Sequence, residues 1–144
     1  TILNPATAVK LDDDIIKNVD LLTPNETELE ILSGVKIENE DDIKKAAEVM
    51  IQKGVKQLIV TLGSKGSLYI DKDKFKFKKS YKVYAIDTTA AGDSYTGALA
   101  VAFSKAKSIE EAMDFASKVG ALCVMKEGAQ TSLPTIQDVL NFRR

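Results

Sequence analysis

The spacing of apolar positions switches repeatedly along the chain between short unbroken runs and a helical repeat, and those switches divide it into alternating strands and helices. Ile2 and Leu3 read as a short strand that stops at Asn4-Pro5. Asp12 precedes a short helix with Ile15, Ile16 and Val19 on its apolar side, and residues 19–22 read as a brief buried strand ending at Pro24. Glu26–Ser33 reads as a helix stopped by Gly34, the residue type that ends helices in the left-handed conformation. Asn39 is placed to cap the next helix, 40–53. There Ile43, Ala46, Ala47, Met50 and Ile51 follow helical spacing, and Gly54 ends the run.

Residues 57–62 form a continuous apolar run of the kind a parallel sheet buries on both faces. Segments 67–70 and 74–78 read as a hairpin around Asp71-Lys72-Asp73. Alternating Lys and Phe from Lys72 to Lys79 predicts a half-buried strand with its lysines in solvent. Residues 81–86 form an apolar, strand-like run leading into a small-residue turn, followed by a helix over 92–105. Ser108-Ile109-Glu110-Glu111 is a capping box that starts a helix to about residue 125, and Thr135-Ile136-Gln137-Asp138 starts a last short helix in the same manner. Buried strands alternating with helices predict an α/β fold with a mostly parallel sheet. No internal repeat, low-complexity tract or linker interrupts it.

Composition narrows the functional classes. At 144 residues the chain has the length of about one domain, and 44% hydrophobic residues are ordinary for a globular core. A net charge of −1 argues against nucleic-acid or membrane-surface binding driven by bulk charge. The single cysteine, Cys123, lies in an apolar run and reads as a buried structural thiol. With no histidine in the chain, nothing of that kind is present to activate it, and Ser-His-Asp chemistry is excluded within these residues. No apolar stretch approaches the ~20 residues of a membrane span, and no signal peptide is visible, so a cytoplasmic protein is the expectation. Thr1-Ile2-Leu3-Asn4-Pro5 reads as a strand already under way, which suggests a chain cut inside a domain.

The richest chemistry sits in Asp87-Thr88-Thr89-Ala90-Ala91-Gly92-Asp93-Ser94-Tyr95-Thr96-Gly97-Ala98-Leu99. A strand running into a glycine-containing helix start makes an anion site, because free N–H groups and the positive end of the helix dipole face one spot. Asp93 within that turn has two readings. It is either a base taking the proton of a hydroxyl that attacks a phosphoryl group, or an ordinary helix N-cap. Thr61-Leu62-Gly63-Ser64-Lys65-Gly66 follows a buried strand, where ligands of open α/β sheets bind. It lacks the P-loop spacing and also reads as a plain strand-to-strand turn. Lys65 is either a phosphate contact or an exposed loop lysine. Asn25 and Glu28, three apart at a helix start, supply oxygen ligands of the kind Mg²⁺ accepts, or simply cap the helix. Asn4 lines a pocket at a strand end or satisfies its own turn.

The Asp87–Leu99 segment resembles the C-terminal signature of the ribokinase-like (PfkB) carbohydrate kinases. Asn4-Pro5-Ala6, Thr23-Pro24-Asn25-Glu26-Thr27-Glu28, the Thr61–Gly66 loop and Gly128-Ala129-Gln130 agree with that family in the expected order. The resemblance runs along essentially the whole chain, which corresponds to the C-terminal half of a family member. It implies a three-layer ribokinase-like α/β fold, with the nucleotide-binding and catalytic-base part of one kinase domain present and the sugar-binding half and lid lying outside it. It implies ATP, Mg²⁺ and K⁺ as cofactors, a small sugar as partner and a possible homodimer of the full-length protein. Asp93 becomes the catalytic base at the sugar hydroxyl, and Ala90, Ala91 and Gly92 an anion hole. Thr61, Gly63, Ser64, Lys65, Gly66, Gly92 and Ser117 become nucleotide contacts, and Asn25 and Glu28 help place Mg²⁺. Asp87, Thr89, Cys123, Lys126, Gly128 and Ser132 become K⁺ ligands, several through backbone oxygen. The Ala-Ala-Gly-Asp form is similar to the ribokinase branch, which implies transfer of the γ-phosphoryl of ATP to the primary hydroxyl of D-ribose, with no activity expected of this chain alone. Fructokinase, ketodeoxygluconate kinase, adenosine kinase and phosphosugar kinase activities are the alternatives within the family. A non-catalytic nucleotide-binding domain is the alternative outside it.

Overall fold

Four of the six α-helix starts among the described residues are fixed by side chains that satisfy the free N–H groups of the first turn. Asn39 accepts from the N–H groups of Asp41 and Asp42 ahead of its helix, and Ser108 and Thr135 each close a capping box with Glu111 and Asp138. In the computed structural model, which describes residues 1–7 and 9–142, six α-helices result. They are α1 (Asp13–Ile16), α2 (Glu26–Ser33), α3 (Glu40–Gln52), α4 (Ala91–Ser104), α5 (Ile109–Cys123) and α6 (Ile136–Asn141). Five strands, β1 (Ile2–Leu3), β2 (Leu21–Leu22), β3 (Gln57–Thr61), β4 (Gly66–Ile70) and β5 (Phe75–Lys79), form one sheet in sequence order.

The chain divides into two compact units, one holding 1–63 with 67–77, the other 64–66 with the residues from Lys78 onward. In the first unit β1, β2 and β3 run parallel, and β4 turns back antiparallel to β3 with Leu58 opposite Ile70 and Thr61 opposite Ser67. Helix α1 makes the crossover from β1 to β2, and α2 and α3 make that from β2 to β3. Leu58, Ile59 and Val60 are completely buried, which is why β3 reads as an unbroken apolar run. The core packs Leu58 and Val60 with Leu22, Leu29, Ile43, Ala46, Met50 and Leu68. In the second unit α4 and α5 pack along each other, α4 burying Tyr95, Ala98, Leu99 and Ala102 and α5 burying Ala112, Met113, Ala116 and Cys123.

Two expectations are corrected. Residues 81–86 are not a strand: a strand needs a ladder of partners, and here the N–H groups of Ile86 and Asp87 both converge on the carbonyl of Val124, at 2.7 and 3.2 Å. Tyr84 and Ile86 stand out into solvent, 85% and 56% exposed. In β5 the alternation holds but its facing is reversed. Phe75 and Phe77 are the exposed positions and Lys76 and Lys78 the half-buried ones. Ionic partners outweigh the apolar preference, because Lys78 is drawn in by Asp114 while Phe75 keeps Lys44 Nζ 4.4 Å above its ring.

Candidate functional site

In the first unit the sequence-flagged residues gather at the carboxyl ends of parallel β2 and β3. Asn25 and Thr61 form an isolated parallel bridge, and Thr61 N–H donates to the Pro24 carbonyl at 2.9 Å. Asn25 Oδ1 accepts from Glu28 N–H at 2.8 Å, and Glu28 Oε2 accepts from Asn25 N–H at 2.9 Å. The pair is therefore a capping box for α2. That use leaves the second lone pair of Asn25 Oδ1 and the other oxygen of Glu28 at a dipole-positive helix start, a donor set that fits Mg²⁺ with most of its waters retained. Gly63, next along the chain from β3, has φ 56° and open space where a side chain would stand.

In the second unit, loop residues 64–66 lie against the chain that follows β5. Gly66 has φ 131°, and a Cβ there would meet the Lys78 carbonyl oxygen at 2.1 Å. Its close backbone approach is thus to its own chain. Lys65 carbonyl accepts from Ser80 N–H at 3.3 Å, and Ser64 carbonyl accepts from the Ser80 hydroxyl.

The turn into α4 is built on a strained residue. Ala90 has φ 58°, left-handed, and its side chain makes no cap. A non-glycine residue held there costs roughly 1–2 kcal/mol, and such strain collects at functional sites. Ala91 N–H closes the turn onto Thr88 carbonyl at 3.2 Å, and Ser94 N–H returns to Ala90 carbonyl at 2.8 Å. Between them the N–H groups of Gly92 and Asp93 have no partner among the described residues. Asp93 is the third residue of α4, so it is not the N-cap, and its exposed carboxylate makes no hydrogen bond or ion pair among the described residues. It faces a cavity of about 620 Å³ lined also by Ser94, Gly97, Val119, Gln130 and Pro134. Gln130 belongs to the Gly128-Ala129-Gln130 motif, whereas Pro134 carries no signal at sequence level that assigns it to this cavity, because only the packing of the segment after α5 brings it there.

Beside this turn the residues flagged for a monovalent cation also come together. Asp87 accepts from Thr89 N–H at 2.8 Å with one oxygen and from Gly128 N–H at 2.9 Å with the other. The hydrogen bonds to Thr89 first, then to Gly128, hold its carboxyl down at about 2. Gly128 has φ 91°, and a Cβ there would meet Thr131 Oγ1 at 2.5 Å. Cys123 Sγ lies 3.1 Å from Ser132 Oγ and 3.9 Å from Thr89 carbonyl, both contacts buried or partly so. Lys126 N–H bonds the Cys123 carbonyl at 3.2 Å. A carboxylate next to a cluster of hydroxyl and main-chain groups is a hard, oxygen-bearing donor set of the kind a monovalent cation accepts. No cluster of three His, Cys, Asp or Glu that would suit a transition metal exists among the described residues. Ser117 is buried within α5 and packed away from solvent.

Comparison with known proteins identifies the family. The model of the pfkB family carbohydrate kinases matches residues 1–136. The chain is 45% identical over 141 residues to the ribokinase of Haemophilus influenzae and 41% identical over 140 residues to that of Staphylococcus aureus. It covers 98% and 96% of itself in those matches and 46% of each relative. Among solved structures, Arabidopsis thaliana ribokinase complexed with ribose and ATP matches with a TM-score of 0.94 at 36% identity. That match covers 99% of this chain and 47% of the Arabidopsis one. The ribokinase of Thermotoga maritima matches with a TM-score of 0.90 at 43% identity, covering 96% and 47%. The chain spans about half the length of the relatives it matches. With the motif residues gathered at strand ends and helix starts and the family model covering nearly every residue, the chain belongs to the pfkB family of carbohydrate kinases.

Proposed function

We propose that the protein containing this chain is an ATP-dependent sugar kinase that transfers the γ-phosphoryl group of ATP to the primary hydroxyl of D-ribose, giving ribose 5-phosphate. The observation that carries it is the geometry at the start of α4. Among the described residues, the Asp93 carboxylate and the N–H groups of Gly92 and Asp93 stand together without partners at the positive end of a 14-residue helix. A carboxylate placed where anions are favoured needs a task, and proton acceptance from the attacking hydroxyl is the one this turn allows. A loose phosphoryl-transfer transition state asks little prior deprotonation and depends on positioning and charge stabilisation. The N–H groups supply the second as donors to the transferring oxygens, with the Ala90–Ala91 turn holding them in place.

Other roles follow from the same reading. Thr61 and the 63–66 loop contact the nucleotide, and Asn25 with Glu28 would hold Mg²⁺ through its waters. When bound, that ion neutralises phosphate charge. Asp87 with the carbonyls near Thr89, Cys123, Lys126, Gly128 and Ser132 would hold K⁺ and so fix the shape of the turn. Ser117, on α5, is a further nucleotide contact in this reading. The working protein is cytoplasmic and acts on ATP and a sugar, as a homodimer. Among the described residues no helix is long and apolar enough to cross a membrane.

The test is kinetic, on the full-length protein. A panel of D-ribose, 2-deoxyribose, fructose, ketodeoxygluconate, adenosine and fructose 6-phosphate is expected to show the highest kcat/KM for D-ribose. Asp93→Asn is expected to lower kcat by ~10²–10⁴-fold with ATP affinity nearly unchanged, because the isostere keeps the turn and removes only the base. A variant retaining more than a tenth of the wild-type kcat removes Asp93 from the chemistry. A preference for another member of the panel reassigns the sugar.

A further inference from the structure

Asp114, on α5, belongs to no motif, yet three cationic or hydroxyl donors converge on it. Lys78 Nζ and Tyr81 Oη (2.7 Å) reach one of its oxygens and Lys118 Nζ (2.9 Å) the other. Tyr81 is held further by the ring of Phe142, edge-on with centroids 5.2 Å apart. Lys78 and Tyr81 bracket Ser80, so the clamp fixes the backbone on either side of it. Ser80 in turn takes both carbonyls of the loop: its N–H donates to Lys65 and its hydroxyl to Ser64. The Lys78 carbonyl presses on Gly66 closely enough to exclude any side chain. Because the N–H and C=O of a peptide unit are trans, turning the Ser64 and Lys65 carbonyls toward Ser80 turns the N–H groups of Lys65 and Gly66 to the opposite side.

We propose that Ser80 and Asp114 are positioning residues for the nucleotide: Asp114 pins the Lys78–Tyr81 segment to α5, and Ser80 orients the peptide groups of residues 64–66 toward the phosphates of ATP. This rests on the reading of the 63–66 loop as a nucleotide contact. Neither residue touches ATP itself. The closing of the loop is a main-chain device, which explains how a loop without P-loop spacing can hold a fixed row of donors.

The experiment measures ATP binding by calorimetry in the presence of Mg²⁺, and KM and kcat for D-ribose, with the full-length protein. Four variants are compared: Ser80→Ala, Ser80→Thr, Asp114→Asn and Ser64→Asp. Ser80→Ala is expected to weaken ATP binding by about 3- to 10-fold, the scale of one hydrogen bond, with the D-ribose KM and kcat unchanged. Ser80→Thr, which keeps the hydroxyl, is expected to restore it, and Asp114→Asn to weaken ATP binding in the same direction. Ser64→Asp, a carboxylate on the exposed face of the loop, is expected to weaken ATP binding by repulsion. Wild-type ATP affinity in Ser80→Ala while Ser64→Asp loses it overturns the positioning role alone. Wild-type affinity in Ser64→Asp overturns the nucleotide reading of the loop and this inference with it. A fall in thermal stability with ATP affinity intact in both Ser80→Ala and Asp114→Asn makes the clamp a folding device and overturns the proposal.

Discussion

Asp93 and Asp87 are six residues apart, both acidic, and treated oppositely by their surroundings. Asp87 is bonded into the backbone: one N–H group donates to each of its oxygens and holds it ionised. Among the described residues Asp93 has none, although it sits where N–H groups are most plentiful. A carboxylate bonded into the backbone is structural first, and its charge is then available to a neighbouring cation, since each oxygen keeps a second lone pair. If Asp87 and the Gly128 loop hold K⁺, kcat of the full-length protein is expected to rise with K⁺ at constant ionic strength and to rise less with Na⁺. The effect belongs in kcat because the turn stabilises transferring charge. Asp87→Ala is expected to lose the K⁺ response together with much of the activity. Equal rates in K⁺, Na⁺ and a bulky organic cation would remove the cation site and leave Asp87 as a strut between the turn and the Gly128 loop.

At the scale of elements, caps do two jobs in this chain. The box at Ser108 and Glu111 only starts α5, whereas the box at Asn25 and Glu28 starts α2 at the strand ends where the site residues gather. Replacing Asn25 and Glu28 by alanine would confuse helix loss, worth about 1 kcal/mol for a cap, with any loss of metal. The double change Asn25→Ser with Glu28→Gln keeps a capping box and removes the carboxylate. It is expected to leave the melting temperature close to wild type and to move the Mg²⁺ dependence of the rate to higher concentration, with the D-ribose KM unchanged. An unaltered Mg²⁺ titration returns both residues to capping alone.

The whole molecule carries a set of carboxylates tied to partners. Hydrogen bonds from Lys56 hold Asp20 well below its ordinary range, Lys45 lowers Asp42, and Tyr69 lowers Asp71. Asp87 lies at about 2. For Asp114 partial burial pushes upward, and the bonds from Lys78, Lys118 and Tyr81 outweigh it and hold the carboxyl far down. A depressed native value means that the unfolded chain binds more protons over the interval between the two values. Stability from these groups is therefore complete above the unfolded values of ~3.9–4.3 and declines as pH falls through that range toward about 2. The urea midpoint is expected to be level from pH 7 to 5 and to drop between pH 4 and 2.5. A midpoint that holds constant down to pH 2.5 would show that these pairings are equally present in the unfolded chain.

The sequence by itself determined the local elements. Caps, a glycine stop and periodicity lie within a few residues of one another, so α2, with bounds Glu26–Ser33, the boxes at Ser108 and Thr135 and the buried run of β3 were all legible from neighbours in the chain. It also marked the residues of both candidate sites, because a motif is a local pattern. Tertiary structure decided what depends on distant partners. Whether 81–86 becomes a strand depends on a ladder the segment does not carry within itself, and Val124 offers it one carbonyl instead. Which face of β5 turns inward was set by Asp114, 36 residues from Lys78. The same holds for Ser80 and Asp114, whose role is invisible until the Ser64 and Lys65 carbonyls are seen to point at Ser80. The choice between cap and unpartnered acid at Asp93 was likewise settled only by the left-handed turn at Ala90, which places the acid inside the helix rather than at its edge. Short-range rules act through the chain, while facing, pairing and exposure are properties of what packs against it.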